Sequence, residues 1–141
     1  MTDLRAELET WCQSYVVAFE SYNADAIAAH WTFPALTTQA GRSFTFKSAE
    51  HFAKNTGLLL GFYKAQKVER VERRVVDILS MSDGAVSMTV QDRMLDGASN
   101  EIAAWQAAYV LQYVNKTWKA VAAVADGEVD AWAARGTPLG R

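Results

Sequence analysis

The sequence predicts an α+β fold in which a curved, mostly antiparallel sheet is covered on one side by three helices from the N-terminal half of the chain. Three observations carry this. Leu4, Leu8, Trp11, Cys12, Tyr15, Val16 and Phe19 recur at three- and four-residue steps, which is the spacing of a single helical stripe. From Ala85 to Asp126 three long segments of strand-forming residues follow one another. The turn formers Asp83-Gly84, Asp96-Gly97 and Asn115-Lys116 separate the strands of that half, and turns this short join consecutive antiparallel neighbours. Helices followed by a meander form a two-layer arrangement.

The first helix is expected over residues 3–21, with Thr2 as its cap. Asn23-Ala24-Asp25 offers a second start, and that helix is short because Pro34 forbids its continuation. Pro34 to Phe46 carries β-prone residues around Gly41, a pattern suited to a hairpin. Ser48 caps a third helix ending near Lys64. Its apolar residues Phe52, Leu58, Leu59, Leu60, Phe62 and Tyr63 cover more than one narrow stripe, so it is expected to lie wedged between the sheet and another layer. Strands are expected over 66–80, 85–95, 101–114 and 117–126. The adjacent branched pair Val75-Val76 breaks the alternation of the first, which predicts a bulge. A turn of helix around residues 129–134, anchored by Trp132, either lids a pocket or seals the fold.

Composition narrows the function. With 141 residues, half of them hydrophobic and 21% charged, the chain has the make-up of one packed domain. We place that domain at 1–127, with a tail at 128–141. A net charge of −2 gives no pull toward nucleic acid or an anionic membrane, and neither is expected as a partner. The N-terminal residues include acids where a secretory signal would be basic and then apolar, so a cytoplasmic protein is expected. Cys12, His30 and His51 are too few and too scattered for a zinc-type site. No metal and no cofactor are expected.

The strand Val86-Ser87-Met88-Thr89-Val90-Gln91-Asp92-Arg93-Met94 places a carboxylate in phase with its apolar residues. Side chains alternate along a strand, so Asp92 shares a face with Val86, Met88, Val90 and Met94, and Arg93 points away. An acid on a buried face needs a partner or a purpose. Burial among apolar groups also favours its protonated form, which suits a general base. The alternative is a register change that returns Asp92 to solvent.

Tyr15-Val16-Val17-Ala18-Phe19 leading into Asn23-Ala24-Asp25-Ala26-Ile27, then Trp31-x-x-Pro34-Ala35, together with the order of elements over residues 3–127, resembles the nuclear transport factor 2-like superfamily. That superfamily includes the SnoaL-like polyketide cyclases and the ketosteroid isomerases. The resemblance implies a cone in which the sheet wraps the long first helix around a pocket, commonly as a homodimer through the outer sheet face. It aligns Tyr15 with the tyrosine that ketosteroid isomerases use to donate a hydrogen bond to a developing enolate. Their base position falls near Thr38 and Gln39 and their second acid near Tyr109, so this chain is not expected to be a ketosteroid isomerase. Asp92-Arg93 evokes the acid-arginine pairing of epoxide hydrolases in the superfamily, but adjacent strand residues cannot share a pocket.

The candidate catalytic residues are therefore Asp92, Tyr15 and His30, the last placed to reach the pocket mouth from the end of the second helix with a pKa suited to acid-base work. Trp31, Trp105, Tyr109 and Trp118 are the candidate ligand-binding aromatics. Cys12 reads as a small buried hydrophobe. The run Lys64, Lys67, Arg70, Arg73 and Arg74, broken by Glu69 and Glu72, reads as a solvated strand face. The functional expectation is a protein that binds a small, largely apolar molecule in its cavity, with isomerase, lyase or cyclase-type acid-base activity if Asp92 and Tyr15 converge. The alternative is a non-catalytic ligand-binding or dimerising accessory module, since one fold hosts many functions.

Overall fold

A computed structural model describes residues 3–139. Its elements are α1 (Leu4–Glu20), α2 (Ala24–Ala28), β1 (Trp31–Gln39), β2 (Arg42–Phe46), α3 (Ala49–Ala65), β3 (Arg70–Ser82), β4 (Ala85–Leu95), β5 (Glu101–Val114), β6 (Thr117–Val124) and α4 (Asp126–Ala134). The six strands form one unclosed sheet in the order β2-β1-β6-β5-β4-β3. Neighbours are antiparallel except β1 and β6. This is the expected α+β architecture. No described helix is long and apolar enough to cross a membrane.

The caps explain where the helices begin. Asp3 caps α1, its Oδ1 accepting from Arg5 N at 3.0 Å; Thr2, expected in that role, lies outside the described residues. Asn23 caps α2 and Ser48 caps α3 through Ala26 N and His51 N, each satisfying an otherwise orphaned first-turn donor. The stripe read from the sequence is the face that α1 buries, with Leu8 fully enclosed and Trp11, Cys12, Tyr15 and Val16 beside it. α3 departs from expectation: Phe52, Leu60 and Tyr63 are buried, but Leu58 is 75% exposed, so one side of the helix faces solvent.

β1 starts at Trp31, ahead of Pro34. Pro34 has no N–H to give a ladder, and the register of β1 on β6 shifts between Trp31 and Leu36, around it. Ala40 and Gly41 both take positive φ, 49° and 79°, as a tight two-residue hairpin turn requires. Asn115 and Lys116, at 51° and 65°, do the same between β5 and β6.

β3 begins at Arg70 rather than 66 because Lys67 turns to φ 64°. The expected bulge is present: Val75 pairs with Val90, and the next partners are Asp77 and Thr89, leaving Val76 unpaired. Upstream of it, Val71, Arg73 and Val75 all face inward, and Arg73 is the direct cross-strand partner of Asp92. At the other end of the meander, α4 starts at Asp126 and seats Trp132 with no exposed surface. A Cβ on Gly127 would meet the Gln106 carbonyl oxygen at 2.6 Å, so α4 approaches β5 more closely there than a side chain allows.

Candidate functional site

The concave side of the sheet, with α1 and α3, encloses a cavity of about 110 Å³. A single water needs roughly 10–15 Å³ on this measure, so the space exceeds what isolated waters fill. Aromatic and aliphatic side chains share its wall with the polar residues Thr37, Gln39, Asn55, Thr56 and Tyr63, and Tyr15 from α1, the Arg73–Asp92 pair from β3 and β4, Tyr109 from β5 and Glu128 from α4 converge on it.

Asp92 is 2% exposed, as its phase on β4 predicts. Its carboxylate is not free, however. Arg73 Nε donates to Oδ1 at 2.7 Å and Nη2 to Oδ2 at 2.8 Å, a bidentate pair whose side chains are 5% and 3% exposed. Such a pair satisfies both charges in the geometry that suits guanidinium and carboxylate best. Burial, the largest single influence, would lower the pKa of Arg73, but the charge and hydrogen bonds of Asp92 together with the neighbouring Tyr109 and Cys12 outweigh it and hold the guanidinium protonated well beyond its ordinary range. Arg73 is therefore not part of a solvated face, as the basic run implied, and Asp92 as a lone base is corrected to Asp92 as one half of an ion pair.

Arg73 also organises the phenols. Its Nη2 donates to the Tyr109 hydroxyl at 2.9 Å, and its guanidinium lies 5.2 Å from the Tyr15 ring centre and 4.8 Å from that of Tyr109, within cation–π range. Tyr15 accepts from Trp31 Nε1 at 2.9 Å. Arginine and indole only donate, so both phenol oxygens are used as acceptors. Neither phenol proton has an acceptor among the described residues. Burial first, and the neighbouring Tyr109 second, push Tyr15 well above the usual phenol range; burial likewise raises Tyr109 against the opposing pull of Arg73. Both hydroxyls stay protonated at neutral pH and can donate into the cavity.

Glu128 supplies the titratable group. It is 7% exposed and accepts from the Tyr63 hydroxyl and, at 3.2 Å, from Trp132 Nε1, both on Oε2. Oε1 accepts no hydrogen bond among the described residues. Burial raises the pKa from 4.5 to about 7, against those two hydrogen bonds and with help from the charge of Asp92. A carboxyl poised near neutrality at a cavity wall is suited to proton transfer.

Of the candidate residues, Trp31, Trp105, Tyr109, Tyr15 and Asp92 line the cavity. His30 and Trp118 do not. His30 is turned away by hydrogen bonds that link its Nδ1 with Ala26 O and its Nε2 with Ser14 Oγ, at 2.7 and 2.8 Å, and packs edge-on against Trp11 and Tyr15. Trp118 is held outside by donation to Glu7 Oε1 at 2.9 Å. Both belong to a separate groove. Cys12 is buried, its Sγ 3.8 Å from Met88 Sδ, and burial raises its thiol pKa. Among the described residues no three His, Cys, Asp or Glu side chains are grouped as metal ligands.

Residues 6–128 match the family described as NTF2-like protein (DUF6841). The chain belongs to this NTF2-like family. Solved structures agree with the NTF2-like fold. A domain of unknown function with a cystatin-like fold from Nostoc punctiforme aligns with TM-score 0.69 at 16% identity, over 87% of this chain and 77% of that one. A ketosteroid isomerase-like protein from Erwinia carotovora atroseptica aligns with TM-score 0.64 at 15% identity, over 88% and 95%. Aln2 from a Streptomyces species aligns with TM-score 0.69 at 11% identity, over 88% and 90%. No curated protein matches the sequence. Similarity at these identities speaks for the NTF2-like fold alone, so the functional reading of this family member rests on its own cavity.

Two of the cavity's chemical groups escape a reading of the sequence. Arg73 carries a signal, since it shares its phase with Val71 and Val75. Glu128 carries none: its four-residue spacing to Trp132 puts the two on one helix face but says nothing of what that face meets.

Proposed function

We propose that the central cavity binds a small, largely apolar molecule bearing one hydrogen-bond-accepting oxygen, and that Glu128 exchanges a proton with it. The observation that carries this is the convergence on one cavity of a carboxyl titrating at about 7 with the unclaimed protons of Tyr15 and Tyr109. The phenols hold the ligand oxygen and stabilise negative charge developing there. Glu128 Oε1 takes or returns the proton at carbon. The Asp92–Arg73 pair orients Tyr109 and keeps Arg73 from binding an anionic ligand, which favours a neutral one. Chemistry of this kind is isomerase, lyase or cyclase-type and accords with the SnoaL-like branch.

The test is a panel of small cyclic and aromatic ketones, with binding followed by tryptophan fluorescence and exchange of ligand C–H for deuterium followed by NMR. Binding and exchange are both expected in the wild type, with Tyr109→Phe weakening affinity roughly 3- to 10-fold and Glu128→Gln binding normally without exchange. If no ketone binds, the reading fails. Binding without exchange in the wild type leaves the non-catalytic module, a reading favoured by one observation: Asp92 has both oxygens engaged, so a single free acid remains.

The outer sheet face supports a homodimer. Ile102, Ala104, Ala108 and Val110 are only half-buried there, and Leu79 is 60% exposed, more apolar surface than a strand face in water ordinarily keeps. Light scattering on a dilute solution is expected to give about twice the chain mass of 15.6 kDa; the monomer mass overturns the dimer.

A further inference from the structure

A second, more open groove of about 440 Å³ lies between α1, the end of α2 and the β5–β6 turn, with Trp11, Tyr113 and Trp118 as aromatic walls. Ser14 and His30 meet at its edge, with Oγ 2.8 Å from Nε2. The other ring nitrogen, Nδ1, lies 2.7 Å from the carbonyl oxygen of Ala26. A carbonyl only accepts, so Nδ1 carries the proton, and the lone pair of Nε2 accepts from the Ser14 hydroxyl. Serine, imidazole base and an acceptor that fixes the tautomer are the three parts of an activated hydroxyl nucleophile. Burial, with the charge of Lys119, lowers the pKa of His30 against the opposing Ala26 bond, so the ring is neutral at pH 7 and the Nε2 lone pair is free to accept a proton. Ser14 is exposed, so an incoming group can reach it, which a purely structural tether between α1 and α2 would not need. Lys119 lines the same groove and donates to Ala29 O, leaving two of its ammonium protons for other acceptors.

We propose that Ser14 is a nucleophile activated by His30, and that this groove performs acyl transfer on a small neutral ester. Ser14 Oγ bonds to the ester carbonyl carbon while its proton passes to His30 Nε2. The carbonyl π pair becomes an oxyanion, for which Lys119 is the nearby cation. Collapse of the tetrahedral adduct breaks the bond to the alcohol oxygen, which leaves with the proton from His30. Water then attacks the acyl-serine in the same way, releasing the carboxylic acid and restoring Ser14. Water is the only co-reactant, and the central cavity takes no part.

The test treats the full chain with diisopropyl fluorophosphate and, separately, p-nitrophenyl acetate, and maps adducts by peptide mass spectrometry. A single adduct on Ser14 is expected from each reagent, with one equivalent of p-nitrophenol released in the first turnover. Ser14→Ala is expected to abolish it, and His30→Gln to slow labelling about 100-fold, with circular dichroism confirming that both variants fold. No adduct on Ser14 in the wild-type protein overturns the proposal whatever the variants do. Labelling of a folded His30→Gln at the wild-type rate overturns it too, because the histidine then activates nothing.

Discussion

Asp92→Asn is expected to lower the stability of the fold by about 3–5 kcal/mol, the cost of leaving one member of a buried ion pair without its partner. The guanidinium of Arg73 keeps its charge under all ordinary conditions, its side chain is 5% exposed, and its Nη1 already has no hydrogen-bond partner among the described residues. An amide at position 92 returns at most one acceptor to a group that had used two. The companion variant Arg73→Met/Asp92→Leu removes both charges and keeps apolar volume, and replacements of this kind are commonly neutral or stabilising. Urea unfolding of the three proteins decides the matter. The single variant should fall well below the wild type and the double variant should recover most of the loss. A single variant within about 1 kcal/mol of the wild type would mean that the pair contributes little.

Glu128 is expected to make stability fall between about pH 4.5 and pH 7, by about 3 kcal/mol in total. The sign follows from its raised pKa. Below 4.5 the carboxyl is protonated folded and unfolded alike, and its full contribution is present. Between 4.5 and about 7 the unfolded chain releases the proton and the folded chain keeps it, so the unfolded state gains. Above about 7 both are ionised and the loss is complete. Glu128→Gln keeps an oxygen for Tyr63 and Trp132 and removes the ionisation. Its stability should match the wild type at pH 4 and exceed it at pH 8, and the difference between the two proteins isolates this group from other titrating carboxyls. Parallel curves across that range would show that Glu128 titrates as an ordinary exposed acid, and the proton-transfer role proposed for it would fall with that result.

Where one strand's own alternation decides a residue's fate, the sequence was sufficient. Val86, Met88, Val90 and Met94 announce the inward face of β4, and Asp92 follows from their phase. The crowding of Val75 and Val76 marks the bulge that the register displays. The same rule applied strictly would have placed Arg73 inside with Val71 and Val75. The surrounding cations obscured it, because an inward arginine is tolerable only opposite an acid, and which residue lies opposite depends on the register of two strands across the Asp83-Gly84 turn.

His30, Trp118 and Glu128 mark the limit of such reasoning. His30 and Trp118 carry residue types suited to a pocket, yet hydrogen bonds to Ala26, Ser14 and Glu7 turn them into a different groove. Glu128 sits in a short C-terminal segment without any strong pattern, and reaches the cavity because Trp132 anchors α4 and Gly127 lets it close on β5. Local periodicity is a property of the chain and dictates faces, caps and turns. Which side chains meet across the cavity depends on packing between elements distant in sequence, and there a proton's acceptor, an arginine's partner and a carboxyl's pKa are set by neighbours that the chain order does not name.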